Sequence, residues 1–199
     1  MNDKDRVNIE IDLETLGKRP GCAILSIGAV YFYPDNPPDR RLGEEFYKVL
    51  QIDGQTAAGL HIDPSTVAWW EGQSEEAQQV LFDSGFHGAT VSLDAANLDD
   101  ALSMFADFLP RDPDSYKVWA CGSEFDIAIL DVAHMAVQRY LPWNFWNGHS
   151  HRTLKMLAPE IRADRTGTHH NALDDAKTQA LHAIQILNAL KARHQHTPI

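Results

Sequence analysis

From Val7 onward the chain alternates without a break. Val7, Ile9, Ile11 and Leu13 take one parity, and Asn8, Glu10, Asp12 and Glu14 take the other. A strand puts the apolar set on one face and three carboxylates on the opposite face. Residues 18–21 (KRPG) read as a turn. Residues 23–33 (AILSIGAVYFY) are rich in β-branched and aromatic side chains and read as a second strand, ended by PDNPP. Residues 45–52 (EFYKVLQI) read as a third. The short connections make these three an antiparallel meander.

The period then changes. Residues 63–70 (DPSTVAWW) open like a helix, with a turn signal and a capping hydroxyl. Ser74 caps a second short helix, and residues 85–92 form a loop of small residues. Residues 97–109 carry Leu98, Leu102, Phe105 and Leu109 at helical spacing. A short strand at 116–121 (YKVWAC) precedes a helix at 124–140. An aromatic loop at 142–148 (PWNFWNG) leads to a short helix at 151–158, stopped by Pro159. One long helix at 171–192 closes the chain, and residues 193–199 are expected to be a loose tail. Strands, helices, one more strand and further helices in this order predict a single mixed α/β domain over residues 1–199.

Composition narrows the class. A 44% hydrophobic content suits a globular core. No apolar run is long enough to cross a bilayer, and MNDKDR does not resemble a signal peptide, so a cytoplasmic protein with no membrane partner is expected. Cys22 and Cys121 form no zinc-type pair and read as thiols in a reducing compartment. The formal net charge of −11 argues against broad electrostatic binding to nucleic acid. It leaves room for a nucleic-acid enzyme whose acidic pocket is neutralised by metal ions.

Acidic pairs are common, and a solvated strand face is the default reading of Asp12 and Glu14. Two further stretches change that. In SEFDIAIL, Asp126 follows a strand and opens a helix, where open α/β sheets place ligands. In HHNALDDA, His170 and Asp175 are five apart, about 140° around a helix. They share a pocket only if His170 sits at or before the first turn. Asp174 is flanked by Lys177 and Thr178, whereas Asp175 borders Ala172 and Ile186, which favours Asp175. Asp12, Glu14, Asp126 and Asp175 are hard oxygen donors suited to Mg²⁺ or Mn²⁺. Such a set can hold two ions about 3.5–4 Å apart for phosphoryl displacement. His170 could take a proton from water.

These motifs resemble the DEDDh class of 3′–5′ exonucleases. Asp12-Leu13-Glu14 matches DxE, Phe125-Asp126 matches the second motif, and His170 to Asp175 matches HxAxxD. A closer similarity is to a subgroup with the exonuclease VIII catalytic domain and related bacterial and phage exoribonucleases, through AILSIGAV, IDPSTVAWW and RTLK. The resemblance implies a ribonuclease H-like fold: a mixed five-stranded sheet, the meander plus parallel strands, flanked by helices. It implies that Asp12, Glu14, Asp126 and Asp175 hold two divalent ions, with His170 as general base. Leu16 and one of Trp69 or Trp70 would contact the terminal base. The partners implied are single-stranded RNA or DNA 3′ ends, hydrolysed to nucleoside monophosphates, and enzymes of this class often form homodimers. The chain departs from the pattern at Cys121, where an Asn is frequent, and at Glu10, where relatives are apolar.

Glu10, two and four residues before the ligands, is expected outside the metal shell. Trp143, Phe145 and Trp146 read as loop packing, and Arg152 and Lys155 as a solvated helix face. His134, His149 and His151 have no partner spacing that suggests a site. The alternative function is a catalytically silent nucleic-acid-binding or adaptor module of the same fold.

Overall fold

A computed structural model describes residues 6–195. Strands β1 (Val7–Thr15), β2 (Ile24–Phe32) and β3 (Leu42–Val49) are followed by helices α1 (Pro64–Trp70), α2 (Glu75–Asp83) and α3 (Leu98–Phe108). Then come β4 (Tyr116–Ala120), α4 (Asp126–Ala136), β5 (Gly148–Ser150), α5 (His151–Met156) and α6 (Ala172–Gln195). The sheet order is β3-β2-β1-β4-β5. The meander pairs antiparallel, and β1–β4 and β4–β5 pair parallel. This is the predicted mixed five-stranded sheet flanked by helices. Among the described residues no helix is long and apolar enough to cross a membrane.

β1 is central, so both of its faces are covered. On one side Ile9, Ile11 and Leu13 join Leu102, Phe105, Leu130 and Trp143 in the largest apolar cluster. On the other side lies α6. The solvated-face reading of the alternation therefore fails: Glu10 is fully buried and Glu14 is 7% exposed. Gly28, opposite Asp12 in the register, lets α6 approach this closely. A Cβ there would sit 2.2 Å from the carbonyl carbon of Ala172.

Several boundaries differ from the pattern-based reading. β3 starts at Leu42 and ends at Val49, because Ile52 turns away to bond the Ser84 carbonyl. The cap of α1 is the Asp63 carboxylate, which accepts from the Ser65 N–H at 2.8 Å; no hydroxyl caps it. Ser74 caps α2 as expected. α4 ends at Ala136, and Gln138 beyond it adopts a φ of 59°. β5 lies at the end of the aromatic loop, too short to show alternation. α6 extends to Gln195, into the expected tail; residues 196–199 lie outside the described residues. Of the loop aromatics, Trp143 is buried, while Phe145 and Trp146 pack on each other in the open.

Candidate active site

The site forms where the polar face of β1 meets one stripe of α6. Asp175, Gln179 and His182 recur at helical spacing and share that stripe. They lie along β1 in reverse order, from the Glu14 end to the Glu10 end. Oxygens of Asp12, Glu14 and Asp175 lie within 4.8 Å of one another. Gln179 Nε2 donates to Asp12 Oδ1 at 2.6 Å. Asp126 enters from the first turn of α4, and its Oδ1 accepts from the Leu13 N–H at 3.2 Å. That bond ties the second motif to the strand carrying the first.

Local chemistry selects Asp175 over Asp174. Asn171 Oδ1 accepts from the Leu173 and Asp174 N–H groups and so starts α6. Asp174 turns outward to accept from the Thr168 N–H at 2.7 Å. Asp175 faces the cluster, accepts from the His170 N–H at 3.2 Å and pairs with Arg165. His170 sits just before the helix with a φ of 63°. This is the placement that its five-residue spacing required.

Burial and mutual repulsion act together on the carboxylates. Asp12 is raised well above the ordinary carboxylate range by burial, then by Asp126, Glu14 and Asp175. Burial, Asp175 and Asp126 push Glu14 up to about 8. Asp126 rises to about 7, mainly by burial, against the lowering effect of the Leu13 N–H. Cations would relieve such a cluster, and its all-oxygen donor set fits Mg²⁺ or Mn²⁺. His170 is held below the usual histidine range by burial and by the adjacent His169.

Of the three residues expected at the terminal base, Leu16 and Trp70 are core residues, 0% and 1% exposed. Trp70 packs with Leu16 and donates Nε1–H to the Thr15 carbonyl at 2.9 Å. Trp69 is 42% exposed, and its ring meets that of His170 edge-on at 4.8 Å. His170 also lines a cavity of about 220 Å³, together with Tyr47, Val80, Thr168 and Asn171.

The pattern missed Gln179, Arg165, and the partners of Glu10. Gln179 was findable, four residues after Asp175 on the same helical face. Arg165 lies in an irregular loop that carries no periodic signal. Sequence spacing suggested no site for His151, but in the fold its Nδ1 lies 3.2 Å from Glu10 Oε1 and its Nε2 3.2 Å from His182 Nδ1. Glu10 and His151 are far apart in sequence, so spacing could not pair them.

A family model described as the 3′–5′ exoribonuclease Rv2179c-like domain matches residues 7–187. The chain belongs to this family. It is a 3′–5′ exonuclease, 25% identical over 162 residues to the exodeoxyribonuclease of Enterobacteria phage T4, covering 72% of this chain and 68% of the phage protein. Solved structures share its fold. One is the nuclease domain of 3′hExo, a DEDDh family member bound to rAMP (TM-score 0.61, 15% identity, 95% of each chain). Another is exonuclease X in complex with 5′ overhanging duplex DNA (TM-score 0.54, 17% identity, 92% of each chain). A third is the 3′-exonuclease that recognises the histone mRNA stem-loop (TM-score 0.57, 16% identity, 95% of this chain and 67% of that one).

Proposed function

We propose that this exonuclease hydrolyses single-stranded RNA or DNA from the 3′ end, releasing nucleoside 5′-monophosphates, with two divalent ions held by Asp12, Glu14, Asp126 and Asp175. The observation that carries this is the convergence of Asp12, Glu14 and Asp175 oxygens within 4.8 Å, beside the buried Asp126. When bound there, a pair of divalent cations supplies Lewis acidity to the attacking and leaving oxygens of an in-line displacement.

The chain's own residues do the rest. Gln179 and the Leu13 N–H hold Asp12 and Asp126 in place, so the donor set needs little reorganisation. His170, kept neutral near pH 7 by burial, takes a proton from the attacking water. The water oxygen bonds to phosphorus as the bond to the 3′ oxygen of the preceding nucleotide breaks. Trp69 offers a sequence-tolerant stacking face for the terminal base. Use of both RNA and DNA is supported by the family's exoribonuclease description and by the phage exodeoxyribonuclease relative.

Matched 5′-labelled RNA and DNA oligonucleotides, incubated with Mg²⁺ or Mn²⁺, test this reading. The expected result is stepwise shortening with 5′-monophosphates as products, abolished by EDTA. Stable binding without shortening in either metal would favour the silent binding module instead.

A further inference from the structure

The Glu10–His151–His182 chain is buried behind the metal-ligand cluster and takes no part in the proposed reaction. Its members are 0%, 1% and 5% exposed. His182 Nε2 lies 3.0 Å from the Ile161 carbonyl oxygen. A carbonyl only accepts, so this nitrogen carries a proton. Burial, with His151 and Lys155 nearby, disfavours a second proton on His182. Its Nδ1 is therefore a bare acceptor facing His151 Nε2, which must donate. His151 Nδ1 then faces Glu10 Oε1 with room for one proton between them. Glu10 Oε2 has no hydrogen-bond partner among the described residues.

We propose that Glu10, His151 and His182 are positioning residues: a buried hydrogen-bonded tie that fixes β1 against α5 and α6 and keeps Glu10 out of the metal shell. Glu10 points from the same strand face as Asp12, and as a free carboxylate it would add a fifth negative charge and a competing ligand. The tie holds its Oε1 from the far side and carries the position of α6, which bears Asp175, across to the strand that bears Asp12 and Glu14. The proposal rests on the reading of these carboxylates as metal ligands.

Two measurements test it. Long-range ¹H–¹⁵N spectra of the histidines at pH 7 should show His182 protonated at Nε2 only and His151 protonated at Nε2. A proton on His182 Nδ1, or none on His151 Nε2, overturns the tie. Mn²⁺ titration followed by electron paramagnetic resonance reads its consequence. E10Q, whose amide can donate to His151 Nδ1, should bind Mn²⁺ within about twofold of wild type, whereas E10L should lose about tenfold. Loss in E10Q as deep as in D12N would make Glu10 a ligand and overturn the proposal, and so would unchanged affinity in a folded E10L. Should E10L not fold, the histidine spectra and E10Q decide. Unchanged Mn²⁺ binding in D12N would instead overturn the metal-site reading, with the tie still readable from the spectra.

Discussion

At Asp12, Glu14 and Asp126, burial and like charge both favour the neutral acid. Their folded pKa values lie above the unfolded ones, so the stability these groups contribute to the metal-free protein is fully present below about pH 4 and is lost as pH rises through about 7 and 8. Thermal unfolding in EDTA should show a melting temperature at least about 5 °C lower at pH 8.5 than at pH 5, a gap that Mn²⁺ narrows. D12N removes one repelling charge. It should melt no lower than wild type in EDTA, yet lose activity by about 10²–10³-fold or more, as expected when one preorganised electrostatic group is lost. The two tryptophans should separate by role. W69A should raise KM about 5- to 150-fold with little change in kcat, since stacking contributes about 1–3 kcal/mol per base. W70A should instead destabilise the fold by about 3–5 kcal/mol, read by denaturant unfolding.

At the scale of elements, the site depends on how close α6 lies to the sheet. G28A places a methyl into the backbone at Ala172 and Leu173, which cannot yield without moving the start of α6. We expect a loss of about 1–3 kcal/mol, together with weaker Mn²⁺ binding, because Asp175 moves with the helix. Wild-type Mn²⁺ affinity in G28A would show that the close approach is not what sets the site. The long elements were legible because their periods run over many residues: the alternation of β1, the apolar run of β2, the spacing in α3. β5 and the exact ends of β3 and α4 were not. Three residues carry no period, and ends are decided by partners elsewhere, as Ser84 is for Ile52. The same limit explains why the polar face of β1 read as solvated: alternation records a difference between faces, and a helix with a matching polar stripe covers the wet-looking one.

In the whole molecule, an acidic chain acts on an acidic polymer. With a net charge of −11, affinity must come from the proposed metal centre and from local contacts. Apparent KM for a single-stranded substrate should therefore depend weakly on salt, with the release of only about one or two counterions; a steep dependence would point to an extended basic track. The four carboxylates were legible because three separated motifs agree in order, and each sits where its local geometry demands. The Glu10–His151 contact was not, since only the closed fold brings β1 and α5 together. Anomalous diffraction from a crystal soaked in Mn²⁺ tests the central claim most directly. The account predicts manganese bound by Asp12, Glu14, Asp126 and Asp175, with Glu10 still on His151. No manganese at this cluster, or manganese bound by Glu10, would contradict it.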